Sequence, residues 1–221
     1  MMKNLQKMGG IAALYEAAAY LIALVGYILV IGTLDIVDPV QKVAVLVDNQ
    51  AFTYILNLIA YIVWGIFQVA LALALYERLK AGSPAIMQTA AVIGLIWACV
   101  IIASGMIANI GMATVVDLYS KDPAQAATVW LAIESVADGL SGAGGETLGG
   151  TWILLVSWVA LRVGELPRAL NYLGVVLGVT GLLSTVPALF WALVFVFALG
   201  KIVWLIWLAI VMLRSSPSAA A

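Results

Sequence analysis

Histidine is absent from the 221 residues, and cysteine occurs once, at Cys99. A chain without imidazole has no His-ligated metal or His-held haem, and one thiol closes no intrachain disulfide and builds no thiolate cluster. Charge is also scarce. Lys plus Arg number 10 and Asp plus Glu 11, together 10% of the chain, where soluble domains carry roughly a quarter. Walker, dinucleotide, GxSxG and HExxH motifs are missing, and the basic residues form no polybasic cluster. These absences leave no basis for a cofactor, a metal or a nucleic-acid partner.

What is present is apolar: 65% of residues are hydrophobic. Such a composition lacks the polar residues to cover a core in water, so its surface faces lipid. The fold class is therefore all-α, a polytopic membrane protein in contact with the bilayer. A spanning helix needs about 20 mostly apolar residues, and six such stretches are predicted, over residues 11–32, 51–76, 85–108, 146–161, 169–186 and 190–213. They form a single domain over 1–214, and the polar tail 215–221 is expected to be disordered. The first stretch is longer than the roughly 7 to 15 residues of a signal-peptide core and contains Glu16, which argues for a span over a cleaved leader.

The basic residues set an orientation. Lys3, Lys7, Arg78, Lys80, Arg162, Arg168 and Arg214 all fall on one side of a six-span layout. The opposite loops hold Asp35, Asp38, Asp48, Asp117 and Asp122 against only Lys42 and Lys121. Excess Lys and Arg mark the cytoplasmic face, so both termini are expected there. On the outer side, Asp38-Pro39 and Asp122-Pro123 each precede a run of helical periodicity, with Asp suited to the N-cap and Pro to the first turn. Two short interfacial helices follow, one over 39–48 and one through Ala126, Trp130, Ala137 and Leu140. They either anchor the loops or roof an outward-opening cavity whose mouth is made negative by Glu134 and Asp138.

Lys201 sits near the middle of the sixth stretch. A lysine at a helix centre costs about 2.5–3.5 kcal/mol on insertion scales, while the 15 Leu, Ile, Val and Phe residues around it contribute roughly −4 to −9 kcal/mol. The span inserts regardless, yet an ammonium facing acyl chains must reach about two helical turns to water, so a partner is expected. Measured from Arg214 and Arg162 at about 1.5 Å per residue, Lys201 and Glu146 lie at depths of roughly 20 and 24 Å. That match predicts a Glu146–Lys201 pair, with Glu16 at a shallower level. The pair serves either to lock two spans together or to form a substrate, proton or ion site.

A stripe of Tyr54, Asn57, Tyr61, Trp64 and Gln68 recurs at three- and four-residue intervals, placing one polar and aromatic face inward. Glu16, Tyr20 and Tyr27 share a side of the first span, Glu146, Gly150 and Ser157 a side of the fourth, and Gln88 and Asn109 lie on or near the third. They line a partly polar interior cavity or act as interhelical hydrogen bonds worth about 0.6 kcal/mol each. The candidate ligand-binding residues are thus Lys201, Glu146, Glu16, Asn57, Tyr61 and Gln68. Gly174 and Gly178, followed by Gly181, and Gly145 with Gly149, give the small-residue spacing of close helix contacts, either within the chain or with a second copy or another membrane protein. The tryptophans are expected mainly at the lipid interface, and Cys99 as a small apolar residue.

The runs Gly145-Glu146-Thr147-Leu148-Gly149-Gly150-Thr151-Trp152, Leu166-Pro167-Arg168-Ala169-Leu170-Asn171-Tyr172-Leu173-Gly174 and Gly200-Lys201-Ile202-Val203-Trp204 resemble the bacterial membrane family of domain-of-unknown-function 4386. The likeness covers roughly Trp130 to Arg214, with Leu75-Tyr76-Glu77-Arg78-Leu79 a weaker echo before it. It implies six spans in a bacterial inner membrane and transfers no catalytic or binding residue. Three functional classes stand from sequence: a pocket that binds or passes a small or lipophilic molecule near Lys201 and Glu146, a structural or regulatory subunit of a membrane complex, and an intramembrane enzyme using these acid and base groups.

Overall fold

In the computed structural model, residues 2–32, 36–141 and 143–214 are described, with side chains for all of these except 2, 3 and 143–145. The tail at 215–221 lies outside them, and Gly145 of one GxxxG spacing is described in its backbone alone. The described residues are almost wholly helical, as long apolar runs with few helix breakers dictate when lipid leaves the backbone no other hydrogen-bond partner. In order these are α1 (Met2–Val25), α2 (Pro39–Asp48), α3 (Gln50–Asn57), α4 (Trp64–Leu79), α5 (Pro84–Tyr119), α6 (Pro123–Ser141), α7 (Ala143–Val163), α8 (Arg168–Leu183) and α9 (Phe190–Arg214). Two π-helical segments interrupt the pattern. Gly26–Ile31 extends α1, and Leu58–Val63 joins α3 to α4.

Among the described residues, four helical stretches are long and apolar enough to cross a membrane: Asn4–Ile31, Gln50–Leu79, Pro84–Tyr119 and Phe190–Arg214. Arg168–Leu183 is a shorter apolar helix. The helices α1, α4, α5, α7, α8 and α9 pack in that cyclic order, and α9 returns to α1. The result is a closed ring whose interior receives side chains from every wall. At the end that carries Gly9, Ala74 and Met212, which we call the terminal end, the ring is tight. A Cβ on Gly9 would stand 2.5 Å from Ala74 and Met212 side-chain atoms, and Arg78 ties α4 to the α7–α8 turn by donating to the Glu165 carbonyl at 2.9 Å.

The seam between α7 and α8 runs on glycine. A Cβ on Gly150 would meet the Gly178 carbonyl oxygen and the Leu182 nitrogen at 2.9 Å, both backbone atoms that cannot swing aside. The Gly174–Gly178–Gly181 spacing therefore serves a contact within the chain. Gly164, at φ +70, ends α7 in the left-handed region open to a residue without Cβ.

The helix α5 has 36 residues, about 54 Å at 1.5 Å per residue against a hydrocarbon core of about 30 Å. It continues past the expected end of a span at 108 because its last turns have their own apolar partners. Met112 and Val115 pack with Val43 and Leu46 of α2 and with Ala126, Ala127 and Trp130 of α6. The two short helices begin as their Asp-Pro steps dictate: Asp38 accepts from the Val40 amide at 3.0 Å, and Asp122 from the Gln125 amide at 2.9 Å. They cover this second end, the roofed end, where the Lys42 ammonium pairs with Glu134 at 2.7 Å.

Three tryptophans correct a sequence expectation. Trp97, Trp152 and Trp204 are buried within the ring instead of sitting at the lipid interface, beside Trp64 of the inward stripe, while Trp158, Trp191 and Trp207 face outward. Contributed by α4, α5, α7 and α9, the four indoles run in a row with centroids 4.8, 6.0 and 6.1 Å apart. Close, mostly edge-on packing of large rings fills a volume that aliphatic side chains of single helices cannot reach.

Candidate functional site

Lys201 points into the ring and is 2% exposed. Its ammonium donates a hydrogen bond to the Tyr20 hydroxyl and lies 4.0, 4.6 and 5.2 Å from the ring centroids of Tyr20, Phe197 and Trp97. A cation desolvated among π-faces is held by their quadrupoles, by about 2 kcal/mol for a good contact. The expected Glu146–Lys201 pair is not a direct contact. Among the described residues no carboxylate oxygen comes within 4.0 Å of the ammonium, although Glu146 and Glu16 both act on it electrostatically. Depth arithmetic gives height along a helix and says nothing of azimuth, and the phenol of Tyr20 occupies the contact position.

Both carboxylates are buried, and each has an oxygen with no hydrogen-bond partner. Gln68 is fully enclosed with both amide atoms unpartnered, as are the indole nitrogens of Trp64, Trp97 and Trp204 and the hydroxyl of Ser157. Buried polar atoms are normally satisfied, so this concentration of unmet donors and acceptors around one lysine sets the ring's middle apart from an ordinary packing core.

Two cavities approach the cluster from the roofed end. The first, about 140 Å³, lies under α2 and α6 and is lined by Lys42, Thr53, Asn57, Ser104, Trp130 and Glu134, among others. The second, about 310 Å³, is lined by Ala19, Tyr20, Ala23, Trp64, Ser141 and Glu146, among others. Tyr27, Tyr61 and Asp138 belong to both walls. Tyr27 comes from one π-helical segment and Tyr61 from the other. A π-turn widens the helix and redirects its side chains, and such turns recur at functional sites.

Polar contacts brace the first cavity. The Tyr27 hydroxyl donates to Asn57 Oδ1, Asn57 Nδ2 donates to Asn109 Oδ1 at 2.8 Å, and Ser104 donates to the Ala137 carbonyl at 2.8 Å. At its mouth, burial and the neighbouring Glu134 carboxylate raise Asp138 above the usual carboxylate range, with Lys42 acting in the opposite sense. Burial contributes most, and a like charge four residues away on α6 adds to it.

The sequence-derived residues therefore separate. Asn57 and Tyr61 line the first cavity, Tyr61 and Glu146 the second, and Lys201 stands behind Tyr20. Glu16 and Gln68 are buried but line neither cavity. Two members of the inward-facing sets turn out: Tyr54, at 45% exposure, points away before the π-turn resets the register, and Gln88 is exposed. The candidate ligand-binding residues left out Tyr20, Tyr27, Trp97 and Phe197. Tyr20 and Tyr27 carried a signal that the sequence does give, since both share the side of the first span that holds Glu16. Trp97 and Phe197 carried none beyond their size.

No cluster of three or more Cys, Asp or Glu suited to a metal ion occurs among the described residues. Comparison with the curated proteins and with the solved structures found no match. A family model described as a domain of unknown function (DUF4386) matches residues 11–211, most of an apolar helical ring of this kind, and the chain belongs to that family.

Proposed function

We propose that this membrane protein holds a small or amphiphilic molecule inside its helical ring, in the two adjoining cavities between the roofing helices and the Lys201–Glu146 cluster. In this reading α1, α3–α4, α5, α7, α8 and α9 are six crossings, the termini are cytoplasmic, and the roofed end faces outward from a bacterial inner membrane. Lys3, Lys7, Arg78, Lys80, Arg162, Arg168 and Arg214 at one end support that orientation. The binding reading rests on one observation: a polar, aromatic hollow shared by Tyr27, Tyr61 and Asp138 extends from the Lys42–Glu134 pair to Tyr20 and Glu146. Ligand sites have this mixture of apolar walls and a few convergent polar groups.

Thiol accessibility tests the reading. In a Cys99→Ala background, Ser104→Cys in the first cavity and Ala23→Cys in the second should react with a membrane-impermeant methanethiosulfonate added from outside. Val156→Cys, in the closed core, should stay unlabelled. Absence of labelling at both cavity positions in folded protein would reduce the hollow to a sealed packing defect and remove the proposal.

A further inference from the structure

We propose that the second cavity is a site for an organic ammonium group, which enters beside Glu146 in exchange for a proton. This inference rests on the binding reading above and specifies its ligand class.

The first support is charge balance. Lys201, Glu16 and Glu146 interact electrostatically in the ring's interior, and the fully ionised trio carries one net negative charge. A buried cluster in low dielectric is held near neutrality. Two states achieve this: one carboxyl group keeps a proton, or an external cation occupies the space beside the cluster. Glu146 is the carboxylate of the two that faces that space, with an oxygen that has no partner in the protein and a position in the first turn of α7. Negative charge is stabilised at a helix N-terminus.

The second support is the wall. Tyr20, Tyr27, Tyr61 and Trp64 line the same cavity, and Asp138 stands at its junction with the first. Aromatic faces with an acidic residue are the chemistry that recognises ammonium ions. Lys201 already uses that chemistry internally, on Tyr20, Trp97 and Phe197. An anionic ligand would face Glu146 and Asp138 directly, with the lysine ammonium behind Tyr20.

Proton and ammonium compete because the groups facing Glu146 are few. Among the described residues they are Tyr20 from α1, Tyr27 and Tyr61 from the two π-segments, Asp138 from α6 and Lys201 from α9, with Glu16 of α1 acting on the same Lys201 and Tyr20. The other ionisable residues of α4, α5, α7 and α8 are Tyr76, Glu77, Arg78, Cys99, Asp117, Tyr119, Arg162, Arg168 and Tyr172; Cys99 faces outward and the rest lie toward the helix ends. Entry of one ammonium therefore displaces up to one proton to solvent, conserving charge, and affinity rises with pH until that proton is already gone.

Calorimetric titration of the full chain in phosphatidylglycerol nanodiscs tests this, with choline as probe and 3,3-dimethylbutan-1-ol as its uncharged isostere. Choline should bind with a buffer-dependent heat that reports proton release, and the alcohol should not. Glu146→Gln should weaken choline roughly thirtyfold or more, as loss of one member of a buried charge pair does. Glu146→Asp, which keeps the charge, should retain binding and guards against misfolding. Glu16→Gln lines no cavity, yet it leaves Lys201 to balance Glu146 and should abolish proton release. Adding phosphatidylethanolamine to the discs separates two sources of the group: competition assigns the site to a lipid headgroup, and no competition to a free solute, both within the ammonium class. Equal binding of choline and the alcohol, or choline binding unchanged in Glu146→Gln, would overturn the inference. Thiol labelling at Ser104→Cys and Ala23→Cys with no choline binding would sink the ammonium assignment and leave the cavity standing, whereas failure of labelling removes both.

Discussion

The two ends of the ring are built from the same kind of helix and differ in how the helices meet. At the terminal end, α1, α4 and α9 approach through Gly9, Ala12, Ala13, Ala72 and Ala74, and the space between is closed by Leu75, Leu208 and Met212. At the roofed end, α1 and the α3–α4 pair each carry a π-helical segment, and in the one between α3 and α4 no residue is buried. Small side chains let helices close on one another, and widened turns hold them apart. Tightness at one end thus fixes the ring, while slack at the other leaves a hollow that the acidic residues of α6 and the aromatic residues of α1 and α4 can share.

If that contrast is sound, substitutions at the two ends should differ by several-fold in cost. Leu208→Ala, at a fully buried terminal-end position, should lower unfolding stability in detergent by about 2–5 kcal/mol, as cavity-forming truncations do. A loss below 1 kcal/mol would mean that this end is not close-packed. Gly150→Ala tests the glycine seam and should cost roughly 1–3 kcal/mol through overpacking against backbone, whereas Gly139→Ala, with nothing within 4 Å of the new Cβ, should leave the melting temperature unchanged or raise it slightly.

Smaller effects belong to the roofed end. Asn57→Ala removes contacts with Tyr27 and Asn109 and should cost about 1 kcal/mol at the roughly 0.6 kcal/mol typical of interhelical hydrogen bonds. Lys42→Gln breaks a partly exposed pair with Glu134 and should cost less than about 1 kcal/mol, with a difference that shrinks in added salt. The smallest signal is a slope. Asp138 is raised above the ordinary carboxylate range by burial and Glu134. Its folded form therefore binds protons more tightly than the unfolded chain, and stability should fall as pH rises from the ordinary range through the raised one. Asp138→Asn should flatten that part of a melting-temperature profile, and an unchanged profile would place the charge elsewhere.

The legible parts of the fold were those whose physics is local. An Asp cap followed by Pro specifies a helix start within four residues, so α2 and α6 began as read from Asp38-Pro39 and Asp122-Pro123. The cost of a charge in hydrocarbon is likewise a property of one residue in one span, which is why Lys201 could be placed inside. Azimuth was harder. The face of Tyr54, Asn57 and Tyr61 assumed 3.6 residues per turn, and the π-segment after Asn57 broke that count, leaving Tyr54 outside. Indole is amphipathic enough for either interface or core, so Trp97, Trp152 and Trp204 could not be assigned to an interior row with the inward Trp64 without knowing which helices adjoin. The partner of Lys201 depended on the same missing adjacency, since α1 supplies Tyr20 from 181 residues away.

The row of four indoles has an optical consequence. Rings this close couple electronically, so the far-ultraviolet dichroism of the native ring, in the strong indole band, should carry an exciton signature, and emission from its interior should be blue-shifted by the buried surroundings. Hydration spreading inward past Tyr20 would red-shift that emission, giving the protein a built-in gauge of its own wetting that needs no attached dye.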